Sequence, residues 1–122
     1  MVEFALVIPI LCVVLFGVIQ FGILFKNYVT LTDAARTGAR KAAVSRLSAT
    51  PEADAEAAVR KAASGIDKPC SGSTGLCVSV SAAAWEHGED VTVTATYPYS
   101  VNLLGVVVAS GNLESKTTER VE

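Results

Sequence analysis

The chain is poor in the side chains that usually carry catalysis or bind metal ions. It has one histidine, His87, and three cysteines among its 122 residues. A catalytic histidine needs a nucleophile and a pocket, whereas an exposed histidine in a charged turn needs neither. A structural zinc ion needs four ligands, and two cysteines with one distant histidine do not supply them. We therefore expect neither an enzyme nor a metal-binding protein.

Motifs for phosphate binding and acyl transfer are missing as well. The segment Gly72–Gly75 resembles the beginning of a phosphate-binding loop but lacks the lysine and the helix that should follow it. A Gly-x-Ser-x-Gly motif does not occur. The net charge is −2, which argues against a general nucleic-acid-binding surface. We expect no cofactor and no nucleic-acid partner.

Charge is absent from most of the first 25 residues. After Glu3, the run Phe4–Phe25 has no charged side chain and one strongly polar side chain, Gln20. At about 1.5 Å per residue, a helix of this length crosses the roughly 30 Å hydrocarbon core of a bilayer. The run is longer than the apolar part of a usual signal peptide, and no small-residue cleavage site follows it. We expect it to be retained as a membrane-spanning helix.

Glu3 lies at the edge of this run, where a carboxylate needs water, headgroups or a positive partner. One interpretation is an exposed residue without a role. The interpretation that we favour is an ion pair with a positive group, such as the N-terminal amine of a neighbouring chain. Such a pair would fix the register of packed helices, because an unpaired buried charge costs several kcal/mol.

The helix should continue beyond the apolar run. The segment Asn27–Ser48 has no proline and is rich in alanine. Small residues recur in it at four-residue spacing, a pattern that lets helices approach closely. These predicted helix-packing residues are Ala34, Ala35, Gly38, Ala39 and Ala42. The alternative is an alanine-rich helix that faces solvent. Pro9 should kink or loosen the helix near its start.

A short helix and a closed loop are predicted next. Thr50 is suited to an N-cap and Pro51 to the first helical position, so a helix should run to about Ser64. Cys70 and Cys77 bracket a flexible loop, and a disulfide there would stabilise the fold by roughly 2–3 kcal/mol. Two free thiols are the alternative. The disulfide favours an oxidising compartment.

From Leu76 onward apolar residues alternate with polar ones, as in β-strands. We predict a hairpin whose second strand is Val91–Tyr97 and ends at Pro98. Ser110-Gly111 should turn the chain, and Leu113–Val121 should form a last strand at the edge of the sheet.

The apolar segment Val101–Ala109 fits a buried strand, a short helix or a patch that covers a neighbour. Overall we expect an α+β fold: a long N-terminal apolar helix, a short helix and a small antiparallel sheet. Residues 1–48 would form the hydrophobic assembly helix and residues 49–122 the globular head domain.

The orientation in the membrane has two conflicting indications. Basic residues follow the apolar run at Lys26, Arg36, Arg40, Lys41 and Arg46. Positive charge usually stays inside the cell, which would leave the domain in the cytoplasm. The predicted disulfide indicates the opposite side. A basic leader removed ahead of this sequence would reconcile the two indications.

Several segments resemble the TadE-like pilins and pseudopilins of tight-adherence systems, within the type IV pilin group. They are Val2–Ile10, Phe21-Gly22, Ala34–Arg40, Val91–Pro98 and the closing stretch from Leu113. The resemblance implies cleavage of a basic leader by a prepilin peptidase and helices packed along a filament axis. It matches Glu3 with the family's acidic residue near the mature N-terminus, although type IV pilins usually carry that residue fifth.

We therefore expect a structural pilin subunit that spans the cytoplasmic membrane once and then joins an extracellular, adhesive filament. Its expected partners are copies of itself, membrane lipid, the inner-membrane pilus assembly machinery and the prepilin peptidase. The expected assembly residues are Glu3, Phe4 and Pro9. The alternatives are a minor pseudopilin and a membrane-anchored binding module of a secretion or pilus system.

Overall fold

The computed structural model describes residues 2–122, which form two helices and one three-stranded antiparallel sheet. Helix α1 spans Val2–Val44 and helix α2 spans Pro51–Ala62. The strands are β1 (Cys77–Ala82), β2 (Asp90–Leu103) and β3 (Val106–Arg120). The predicted α+β fold, with a long helix, a short helix and an antiparallel sheet in that order, is confirmed.

Helix α1 is continuous over 43 residues and remains helical on both sides of Pro9. It passes from the apolar run into the alanine-rich segment, as predicted, and ends at Val44 rather than Ser48. The chain tightens there, because the Ser45 N–H donates to the Ala42 carbonyl at 3.1 Å in place of the next helical bond. One rigid element therefore connects the apolar end of the chain to its globular part.

Helix α2 begins at Pro51, as predicted, and ends two residues before the predicted Ser64. Thr50 is the N-cap residue, as predicted, but its side chain makes no capping hydrogen bond. The Thr50 carbonyl instead accepts the Asp54 N–H at 3.0 Å. The Asp54 carboxylate also accepts a 2.6 Å hydrogen bond from the Ser48 hydroxyl, which ties the α1–α2 connection to the start of α2.

Strand β2 lies in the centre of the sheet, in the order β1-β2-β3. Strand β1 pairs with the first part of β2. The first residue of β1, Cys77, lies opposite Thr96, and β2 has no partner on this side beyond that point. Strand β3 pairs with β2 along its whole length, from Arg120 opposite Asp90 to Val106 at the far end. The predicted edge position of the last strand is confirmed.

Two predicted strand ends are wrong. β2 continues through Pro98. Strand β1 does not reach Pro98, so this edge of β2 is free there, and a proline, which has no N–H donor, is tolerated at a free strand edge. The chain reverses at Leu104 and Gly105 rather than at Ser110-Gly111. Both turn residues have positive φ, +52° and +89°, as in the two-residue turns that suit the twist of a hairpin.

The hydrophobic core lies between the second half of α1, helix α2 and one face of the sheet. Its buried side chains are Leu31, Ala34, Ala35, Ala39, Ala42, Ala55, Val59, Ala63, Ile66, Leu76, Val91, Val93, Ala95 and Val121. Most of the α1 contribution is alanine, so the core is thin and depends on close approach of backbones. The end of the chain closes it, since the Glu122 N–H donates to the Ala43 carbonyl at 3.1 Å.

The loop before β1 is held by a disulfide between Cys70 and Cys77, whose Cα atoms lie 4.8 Å apart. The loop is tight. A side chain at Gly75 (φ +81°) would meet the carbonyl groups of Lys68 and Pro69. Glycine is therefore required at this position, both for its left-handed backbone and for the space it leaves.

Candidate assembly surface

The first half of α1 projects from the domain with its apolar side chains uncovered. None of its most hydrophobic window is buried against other described residues, and it is long and apolar enough to cross a membrane. The exposed large side chains are Val2, Phe4, Leu6, Val7, Ile8, Ile10, Leu11, Val13, Val14, Leu15, Phe16, Val18, Ile19, Phe21, Ile23 and Phe25. Apolar surface costs about 25 cal/mol per Å² in water, so this half of the helix needs lipid or protein around it.

Glu3 sits in the first turn of α1, where the positive end of the helix dipole favours a carboxylate. With Phe4 and Val7 it lines a shallow apolar hollow. Within residues 2–122, no cationic side chain forms an ion pair with it. The next charged residue along α1 is Lys26, about 35 Å away at the rise of a helix. A rigid helix cannot bring the two together.

The predicted packing residues face the chain's own core. Ala34, Ala35, Ala39 and Ala42 are fully buried, and Gly38 lies directly against α2. A Cβ at Gly38 would overlap the Val59 side chain and lie 3.3 Å from the Ala55 carbonyl oxygen. Gly38 is therefore a point of close approach between α1 and α2 within one subunit, and the buried alanines beside it do not face solvent.

The histidine and the basic residues that the sequence analysis considered are exposed on the surface. Residues 2–122 contain no group of three or more side chains that could hold a metal ion. His87 is exposed in the connection between β1 and β2. Arg36 and Arg40 are exposed on α1, where they line a shallow polar hollow with Asp33 and Thr37.

Sequence reasoning left one exposed apolar segment unplaced. The end of the β2–β3 hairpin carries Leu104, Val106, Val107 and Val108, whose side chains are 57–67% exposed. A valine-rich run beside a Leu-Gly pair carried a weak hairpin signal, because leucine rarely adopts the positive φ that such a turn needs.

The family model for TadE-like proteins matches residues 1–40. No curated protein and no solved structure matches the chain. The matched residues include Glu3, Pro9, the whole apolar run and most of the small-residue row. The similarity to TadE-like proteins therefore covers the first third of the chain, most of the helix that carries the candidate assembly surface.

Proposed function

We propose that the chain is a structural pilin subunit. It is held in the membrane by the first half of α1 and joins an extracellular filament when that half packs against the same helix of other copies. The observation that carries this proposal is the continuous uncovered apolar surface of residues 2–25. The TadE-like match over residues 1–40 supports it, since that family belongs to pilus-associated systems.

The exchange from lipid to protein is favourable only if the helices recognise one another. The surroundings of residues 4–25 are apolar in both states, so the hydrophobic effect does not distinguish them. Close packing of side chains and pairing of the Glu3 carboxylate with a positive group on a neighbouring copy would supply the difference. Without such pairing, burial of Glu3 among apolar helices would oppose assembly.

The globular part would follow α1 as a rigid attachment. Because Leu31 and the buried alanines of α1 lie in the domain core, the domain cannot swing freely at the end of the apolar helix. In a filament with α1 at its centre, α2 and the sheet would form the outer surface. This outer surface would be the part available for adhesion.

The decisive variant is Glu3→Gln, which keeps the shape of the side chain and removes its charge. We expect the subunit to insert in the membrane normally and its amount in filaments sheared from cells to fall by about 100-fold or more. That figure corresponds to the roughly 3–5 kcal/mol lost when a buried pair is broken. Immunoblots of the sheared and membrane fractions measure both quantities.

The matched control is Glu86→Gln, since Glu86 is an exposed acid on the β1–β2 connection, far from the apolar helix. It should leave the sheared fraction unchanged. Normal filament yield from Glu3→Gln would refute the pairing. Recovery of the unaltered chain from membranes alone, never from the sheared fraction, would favour a stationary membrane-anchored binding module.

A further inference from the structure

Strand β2 follows α1 back towards the N-terminus of the helix. At the base of the β2–β3 hairpin, the Glu122 N–H donates to the Ala43 carbonyl. Farther along, Tyr97–Val101 of β2 and Gln20–Asn27 of α1 line the two sides of one cleft. The hairpin therefore leaves the domain core in the direction of the apolar half of α1.

The distal hairpin, which we define as residues 98–112, reaches far past the core. From Tyr97 to the turn at Leu104, β2 advances roughly 20 Å, which equals about 13 residues of helix. The turn therefore lies level with the middle of the apolar run Phe4–Phe25. A Cβ placed on Gly17 would meet nothing within 4 Å, so the hairpin does not pack on that side of its own helix.

One face of the distal hairpin is apolar. Apolar side chains occupy alternate positions of β2 along its whole length: Val91, Val93, Ala95, Tyr97, Tyr99, Val101 and Leu103. The first three are buried in the core. The alternation is unbroken, because the register shift of the hairpin adds its extra residue, Val108, to β3. Tyr99, Val101 and Leu103 therefore share the face that packs on α1 nearer the base, which we call the inner face.

The outer face of β2 is polar at the same level, where Ser100 and Asn102 are exposed. On the inner face, Val106 of β3 lies opposite Leu103 and is 66% exposed. No residue from 97 to 113 is charged. Beyond the cleft the inner face is therefore an uncovered apolar surface, for which water is an unfavourable neighbour.

Lipid does not suit the distal hairpin either. Among residues 2–122, nothing pairs with β2 on the β1 side beyond Thr96, and β3 is an edge strand throughout. Unpaired N–H and C=O groups are excluded from hydrocarbon, as are the polar side chains of the outer face. A fitting cover shields the inner face and leaves the outer face and both edges in water. A protein surface at the level of the apolar run meets this requirement.

We propose that the inner face of the distal hairpin packs on the apolar half of α1 from a second copy of the chain. The inference rests on the filament of the proposed function, in which the apolar halves of several helices lie side by side at this level. Neither residues 4–25 nor the distal hairpin carries a charge, so their contact buries no unpaired ion. Gly17 has no side chain, which lets a second helix come close to α1 beneath the hairpin.

The position of the distal hairpin beside α1 then belongs to the assembled subunit. While residues 4–25 span a bilayer, the unpaired strand edges keep the distal hairpin out of the hydrocarbon and hence away from the helix. The hairpin closes on a neighbouring helix as the subunit leaves the lipid. The contact is therefore specific to filaments.

Leu103 and Asn102 offer a matched pair of test positions, because they lie on opposite faces of one strand at the same level. Leu103→Asp places a charge in the proposed contact, where its short side chain cannot extend to water. We expect the amount of subunit in sheared filaments to fall about tenfold or more. Asn102→Asp alters the wet face and should leave the filament yield unchanged. Equal filament yields from two variants that are equally abundant in the membrane fraction overturn the proposal.

Photocrosslinking identifies the partner directly. In one protein the photoreactive residue p-benzoylphenylalanine replaces Leu103, and in the matched control it replaces Asn102. Irradiation of sheared filaments should give covalent dimers from the first protein. Mass spectrometry should place the link between position 103 of one copy and residues 4–25 of the other. The probe at position 102 should give no link to that segment.

The outcomes separate the hairpin contact from the filament itself. Filaments in which the probe at position 103 links only within one chain, or to the distal hairpin of another copy, overturn the contact and leave the filament intact. An unaltered chain that is never found in filaments overturns both proposals. The same dimers from the membrane fraction of the Glu3→Gln variant would show that the contact forms in lipid, which overturns its assignment to the assembled subunit.

Discussion

The two halves of α1 belong to one unbroken helix but have opposite surroundings. The half up to Phe25 carries large branched and aromatic side chains, and nothing in the described chain covers them. In the half from Leu31 to Ala43 the buried residues are mostly alanine. The most apolar residues of the molecule are therefore outside and some of its least bulky residues are inside, the reverse of a soluble protein.

This contrast shows where each half finds its stability. In the alanine half, burial of each small side chain contributes little stabilisation. This half therefore depends on close contact with α2 and with the sheet. The apolar side chains of the bulky half are not buried within a single subunit, so their stabilisation has to come from lipid or from other copies. A single helix thus anchors the domain at one end and presents the proposed assembly surface at the other.

The largest expected effect on membrane insertion comes from a lysine in the bulky half. Val14 and Val44 lie on the same helix and are exposed to a similar extent, 57% and 62%. Val14→Lys places a charge at the centre of the membrane-spanning run, at a cost of about 2.5–3.5 kcal/mol. We expect loss of membrane insertion and of filaments, measured by carbonate extraction and by shearing.

Val44→Lys is the matched control, because a lysine at a helix C-terminus is favourable. It should leave insertion and filament yield unchanged. Equal behaviour of the two variants would remove the distinction between the halves of α1.

A smaller effect is expected from adding one methyl group to a glycine. Gly38→Ala would push a Cβ into Val59 and force α2 away from α1, at a cost of about 1–3 kcal/mol. Gly22→Ala enters open space and should be neutral or stabilise the helix by up to about 1 kcal/mol. Thermal unfolding of both variants in detergent, followed by circular dichroism, measures the difference.

A double variant sharpens the assignment of this contact. If Gly38 and Val59 touch, the costs of Gly38→Ala and Val59→Ala should not add, because the smaller residue 59 makes room for the new methyl group. Additive costs, or a Gly38→Ala protein as stable as the Gly22→Ala protein, would show that α1 and α2 do not approach as described.

The sequence was sufficient for features that depend on local chemistry. The uncharged length of Phe4–Phe25 predicted the long helix, and two-residue alternation predicted Val91–Tyr97 as a strand with one buried face. Pro51 predicted the start of α2. Each of these signals lies within the element that it describes.

Features that depend on distant neighbours could not be read in the same way. Pro98 does not end its strand, because β1 stops opposite Thr96, and nothing near Pro98 in the sequence reveals where β1 stops. The small-residue row predicted close packing of helices but not that α2 of the same chain packs against Gly38. The hairpin turn escaped prediction because Leu104 is a poor match to its own backbone conformation.

The central claim is that residues 4–25 leave lipid by packing on the same residues of other copies. Electron cryomicroscopy of filaments sheared from cells tests it through the distance between neighbouring α1 axes. We expect bundled helices at the filament axis, about 8–10 Å apart, with Glu3 facing a positive group of the next subunit. Filaments in which these helices lie apart, or a chain present only as single molecules in the membrane, would contradict it.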